Sequence, residues 1–245
     1  MVLTTLEIWF IWVMIYSIVG WIYESILCSV SNKKLINRGF LNGPYCPIYG
    51  NGALIVILLL GKVTNPILLF ILGAVLTCAL EYATSYLMEK LFNARWWDYS
   101  SRKFNINGRI CLIGAIVFGI FSVVLILILH PIVQNFTNSL SDNLRHLISA
   151  TLFIAFLIDC IITIKGFSGF NKKLEEFAIL FEEQKDVITE KIHAMDTYQI
   201  LNENWKTLKK KFNVQQCRMI KAFPLLKTNR NNDVLIKIRT ALKRK

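Results

Sequence analysis

Five apolar stretches, separated by polar and basic segments, organise this chain. They run over Leu6–Val30, Pro47–Gly61, Pro66–Met88, Ile110–Leu129 and Leu147–Ile164. A hydrocarbon core about 30 Å thick needs roughly twenty apolar helical residues to cross it, and all but the second stretch come close to that length. The second is short and carries glycine at its start, which suits a re-entrant or broken helix. Asn65-Pro66 predicts a tight turn followed by a helix start, making the second and third stretches a hairpin. Pro131 and the polar run over residues 135–143 predict a loop that closes the fourth stretch. The expected fold is an all-α integral membrane bundle of five transmembrane helices, over residues 1–164. Residues 165–245 are expected to form a mostly helical tail. It opens on Gly166-Phe-Ser-Gly169 and continues as a charged amphipathic helix from Asn171 to about Phe212. Leu174, Phe177, Phe181, Ile188 and Ile192 recur there near 3.6-residue spacing. That helix would pack on the bundle or on its own copy, or lie on the membrane surface. Beyond it, residues 218–226 read as a short docking segment.

Composition agrees with a lipid environment: 54% of residues are apolar, 18% are charged and the mean hydropathy is +0.47. Charge then divides the chain. Residues 1–164 carry a net charge of +3 and residues 165–245 carry +9. Beside a bilayer, a basic tail is expected to meet anionic lipid or a protein partner, and nucleic acid is not an expected ligand. Basic loops also set orientation. Lys33, Lys34 and Arg38 follow the first stretch, and Lys90, Arg95, Arg102, Lys103 and Arg109 follow the third. The alternate segments hold only Lys62 and Arg145. With five spans, both basic loops and the tail share the cytoplasmic side and the N-terminus lies outside. Residues 1–30 lack a basic leader and a small-residue cleavage site, so a cleaved signal peptide is not expected. Six scattered cysteines and three dispersed histidines point to no disulfide framework, metal site or cofactor.

Ionisable groups inside apolar spans are costly and so mark candidate sites. Glu24 lies near the cytoplasmic end of the first span, and Asp159 lies in the same half of the fifth. Glu81, Ser85 and Glu89 share one face of the third at four-residue spacing. The segment over residues 37–52 mixes four glycines and two prolines with amides, and such backbone at membrane depth must be enclosed by protein or wet. It contributes Arg38, Asn42, Tyr45 and Tyr49. The later loop contributes Trp97, Asp98, Tyr99, Asn105 and Arg109. Glu24 and Glu81 could pair with Arg38 or Arg109 as structural ion pairs, or form a substrate or ion site with them; buried pairs add little net stability compared with apolar packing.

Three runs then carry a resemblance. Gly20-Trp-x-x-Glu24, Asn37-Arg-Gly-Phe-Leu-x-Gly-Pro-x-x-Pro-Ile-Tyr-Gly50, and Trp97-Asp-Tyr-Ser100 with Asn105-x-x-Gly-Arg109 resemble the signatures of a bacterial membrane family. That family is described as ABC-transporter type IV, or CmpB-like permeases. The resemblance covers residues 6–130, and Lys221-Ala-Phe-Pro224 is similar to a tail segment of longer members. It implies a multi-spanning, transporter-like protein of the bacterial inner membrane and supplies no substrate.

Three function classes follow. The first is a permease-like or accessory transport subunit; it has no G-x-x-x-x-G-K-S/T phosphate loop, so ATP-driven transport would need a separate ATPase, docking on residues 96–109. Five spans make a thin solute path, which favours a homodimer. The second is an enzyme acting on lipid-linked substrates, with Glu24, Glu81 or Asp98 as base and Arg38 and Arg109 holding phosphate. The third is a scaffold presenting the basic tail.

Overall fold

The computed structural model describes residues 2–33, 35–176, 178–179, 212–228, 232, 233, 235, 236 and 238. Most of the expected tail helix, including Phe177, Phe181, Ile188 and Ile192, lies outside the described residues. The chain is mostly helical. Its helices are α1 (Val2–Asn32), α2 (Pro47–Leu60), α3 (Pro66–Phe92), α4 (Leu112–Val124), α5 (His130–Ser139), α6 (Asp142–Phe167) and α7 (Val214–Ala222). The described residues also form four two-residue strands: β1 (Ala94–Arg95), β2 (Asn105–Ile106), β3 (Ile110–Cys111) and β4 (Lys227–Thr228).

Among the described residues, four helical stretches are long and apolar enough to cross a membrane: Leu3–Val30, Pro66–Phe92, Leu112–Ser139 and Asp142–Glu176. The protein is a multi-pass membrane protein. α2, at 14 residues, is shorter. At 1.5 Å per residue it reaches about 21 Å. α3 starts as its sequence suggests, with Pro66 in the first turn and the Asn65 side chain accepting from the amides of Ile67 and Leu68 at 2.9 and 3.2 Å.

The fourth span corrects the expected closing loop. Pro131 does not end it, because a π-helical segment at Leu125–Leu129 joins α4 to α5. Proline lacks an amide hydrogen and its ring crowds the carbonyl four residues earlier, here Leu127; the wider turn makes room. The polar end of α5 has its own anchor. Thr137, fully buried, accepts from Trp12 Nε1 on α1 at 3.1 Å, and the Tyr16 hydroxyl lies 3.0 Å from His130 Nδ1.

The chain divides into two compact units, residues 1–87 with 98–162, and residues 88–97 with 163–245. In the first, α2 runs back along α1 toward its N-terminus. Tyr49 faces Gly20, Gly50 faces Val13 and Ser17, and Val56, Ile57 and Leu60 share a cluster with Trp12 and Tyr16, against which Ile8 and Trp9 pack. In the second, β1 pairs antiparallel with β4. Trp96 packs among Phe92, Phe167 and Phe223 with ring centroids 4.9–6.0 Å apart. Within residues 218–226, Met219, Ile220 and Leu226 are core residues of this unit, and α7 begins with a capping box between Asn213 and Gln216.

Candidate functional site

Between α1 and α2, residues 35–46 have no regular structure, yet several of their polar groups are met. The contacts step along one face of α1. The Ile36 amide donates to Ser29 Oγ at 3.0 Å, the Arg38 amide to Ser25 Oγ at 3.4 Å, Trp21 Nε1 to Asn37 Oδ1 at 2.7 Å, and the Cys46 amide to the Ser17 carbonyl at 2.9 Å. Ser17, Trp21, Ser25 and Ser29 recur every fourth residue, so they stack on one side of the helix. From Ser29 to Ser17 the segment follows α1 for about 18 Å before α2 begins.

The far side of this segment is held by Asp159 of α6. Its Oδ1 accepts from the Asn42 amide at 3.0 Å and from Asn42 Nδ2 at 2.9 Å; its Oδ2 accepts from the Gly43 amide and the Tyr45 hydroxyl, both at 2.7 Å. The expected site residues Asn42 and Tyr45 are therefore partners of a carboxylate. Burying that carboxylate is tolerable because four donors replace its hydration.

Glu24 is the next centre. Arg38 Nε lies 3.5 Å from its Oε2, and the Tyr49 hydroxyl donates to Oε1 at 2.6 Å. Tyr23, Tyr49, Phe118 and Phe121 form an aromatic chain around it, with ring centroids 4.9–6.5 Å apart. Of the two arginine pairings expected for the span acids, Glu24 with Arg38 is present.

Glu81 does otherwise. It is 5% exposed, and Oε1 accepts from the Tyr99 hydroxyl at 3.2 Å, whereas Oε2 is buried with no hydrogen-bond partner among the described residues. Burial pushes the Tyr99 phenol well above its usual range, so it stays a donor. One turn along α3, Ser85 accepts from Arg109 Nη1 at 3.2 Å, and the Arg109 guanidinium sits 5.5 Å from both the Tyr82 and Tyr86 rings.

A hairpin delivers Arg109. β2 pairs antiparallel with β3, with Ile106 opposite Ile110, so Asn107, Gly108 and Arg109 make the connection; Asn107 and Gly108 take left-handed φ of 52° and 66°, and the Arg109 amide donates to the Ile106 carbonyl at 3.0 Å. Asn105 ties the turn from within: Oδ1 accepts from the Gly108 amide at 2.9 Å, and Nδ2 donates to the Arg102 carbonyl at 2.7 Å. Asn107 Nδ2 reaches the Tyr82 hydroxyl at 2.9 Å. Asp98 is buried and accepts from the Ser100 amide at 3.0 Å. Glu89 and Trp97 belong to the second unit, where Glu89 pairs with Arg95 at 3.1 Å. The eleven other expected site residues belong to the first.

A family model described as "Putative ABC-transporter type IV" matches residues 11–164. The chain belongs to that family. No curated protein and no solved structure matches the chain. The type IV family match spans every expected site residue from Glu24 to Arg109 and also Asp159, which the expected set omitted. Family and apolar helices together make this a membrane protein of transport type. Among the described residues, no group of three or more His, Cys, Asp or Glu side chains could hold a metal ion.

Proposed function

We propose that the chain is a permease-like or accessory subunit of a transport system in the bacterial inner membrane, with its polar site at the cytoplasmic face. The observation that carries this reading is the clustering of Glu24, Arg38 and Tyr49 with one another, and of Glu81, Ser85, Tyr99 and Arg109 beside the same end of α3. These groups lie toward the C-terminal ends of α1 and α3, from which the two basic segments emerge. The positive-inside rule puts such ends in the cytoplasm, with the N-terminus outside and residues 165–245 as a cytoplasmic tail.

Five crossings are supported by the path between α1 and α2. About 18 Å of irregular chain alongside α1 and about 21 Å of α2 together exceed the hydrocarbon thickness. Irregular backbone is tolerated at that depth where protein satisfies it, as the serines of α1 and Asp159 do here. Alkaline phosphatase, which folds only outside the cytoplasm, is therefore expected to be active when fused after Lys62 and inactive when fused after Arg38 or Arg102. The reverse pattern at all three would invert the orientation, and equal activity after Arg38 and Lys62 would break the span count.

A separate ATPase would supply the energy, docking on residues 96–109, and a second copy of the chain would widen the solute path. The basic tail would meet anionic lipid. Purifying the full chain from its native membrane in mild detergent tests the central claim. An ATPase is expected to co-purify, with hydrolysis that Glu24→Gln reduces at least tenfold. The same substitution should leave thermal stability within about 1 kcal/mol, since the ion pair it breaks is partly exposed. Absence of any co-purifying ATPase sinks the reading.

A further inference from the structure

The Glu81 carboxyl contradicts the usual economy of a buried acid. A carboxylate inside an apolar span is held by several donors or by an opposite charge, and Asp159 in this same protein has four donors. Glu81 has one. Its Oε1 is met by Tyr99, while Oε2 is sealed from solvent, facing Gly114 in the first turn of α4, and receives no hydrogen bond among the described residues. No amide of that turn reaches it.

The groups around it do not supply a cation. Glu24 on α1 is another carboxylate, itself taken up by Arg38 and Tyr49. Cys78 and Ser85 flank it on α3, and the Cys111 thiol lies beside Gly114 at the start of α4. Tyr99 approaches from the loop as a neutral donor. The guanidinium of Arg109 rests on Ser85, four residues or about 6 Å along the helix. An anion so placed would have, among the described residues, no ion pair and a bare oxygen.

We propose that Glu81 is a proton-binding site, occupied at neutral pH with the proton on Oε2. A proton is the one cation that fits an oxygen with no surrounding space or ligands. It neutralises the side chain where hydrocarbon would otherwise oppose it, and the Tyr99 bond to Oε1 is retained because a carbonyl oxygen accepts as a carboxylate does. The assignment rests on the transport reading for its purpose: a titratable proton inside a span is what a carrier couples to solute movement.

Infrared spectra of the full-length protein in lipid vesicles, recorded over a pH series in sodium-free buffer, test it. A protonated-carboxyl C=O band is expected at neutral pH and is lost in Glu81→Gln. Tyr99→Phe, which keeps the ring and removes only the hydroxyl, is expected to move that band to higher frequency, because the carbonyl loses its donor. Should Glu81→Gln fail to fold, the Tyr99→Phe shift alone decides. A neutral-pH spectrum without the band overturns the assignment, as does a band indifferent to the substitutions that fold. Replacement of the band by a carboxylate signal on adding sodium at constant pH also overturns it, in favour of a metal cation. The measurement needs neither ATPase nor solute, so its failure and that of the transport reading are seen separately.

Discussion

Asp159→Ala is expected to destabilise the protein by roughly 3–5 kcal/mol, one of the two largest effects anticipated for a single side chain here. Four donors converge on this carboxylate from a segment about 115 residues earlier in the chain. Each bond to a charged acceptor contributes about 1.5–3 kcal/mol, and the sum is less than additive because one segment makes them all. A further cost is what truncation leaves behind: the buried Tyr45 hydroxyl and the half-buried Gly43 amide lose their acceptor. Asp159→Asn separates the two oxygens. An Asn carbonyl can serve the Asn42 pair, but its amide then points donor to donor at Gly43 and Tyr45, so about 2 kcal/mol is expected to be lost. Thermal unfolding in detergent measures both, and trypsin reports the location: release of the segment should speed cleavage after Arg38. If Asp159→Ala unfolds within about 1 kcal/mol of wild type, this carboxylate does not hold the segment.

How far the chain could be read in advance follows from the range of the interactions. Hydropathy located the long helices because each is a local property of about twenty residues, and α1, α3 and α6 lie close to their expected bounds. It misplaced the end of the fourth span because Pro131 and the polar residues after it ordinarily close a helix. The π-helical turn before Pro131 and the Trp12 bond to Thr137 depend on packing against α1, which hydropathy does not contain. Glu24, with Arg38 only fourteen residues on, was legible; Glu81 with Tyr99 was legible as two candidates without a pairing.

Asp159 was noticed as an acid in a span but left out of the expected site, since its partners lie on a distant segment. Two local signals could have gone further. The four-residue recurrence of Ser17, Trp21, Ser25 and Ser29 marks a polar stripe on an otherwise apolar helix. Asn107-Gly108 is a strong turn signal, and the register that forms leaves Arg109 in the same turn, from which it reaches Ser85. The grouping of residues 88–97 with the later part of the chain rests on the pairing of β1 with β4. Strands of two residues leave no alternation to detect.

Gly50→Leu is expected to prevent α1 and α2 from packing, and even Gly50→Ala should cost about 3 kcal/mol. Apolar helices in lipid gain little from hydrophobicity against one another, so close backbone approach at small residues carries much of their association. At Gly50 a methyl group would run into the Val13 carbonyl oxygen and Ser17 Oγ. The carbonyl cannot move aside without moving α1, and Ser17 also supplies the carbonyl that receives the Cys46 amide. Displacing α2 here carries Tyr49, the preceding residue, away from Glu24, so the site and the fold fail together. Gly52 is the internal control. Two residues along the same helix, its added methyl would meet only Leu80 Cδ2, at 3.4 Å, the end of a flexible side chain. Gly52→Ala should therefore be neutral or gain up to about 1 kcal/mol from helix propensity. Folded yield on size-exclusion chromatography and thermal unfolding compare the pair directly. Equal tolerance of alanine at both positions would mean that α1 and α2 are not in backbone contact at Gly50.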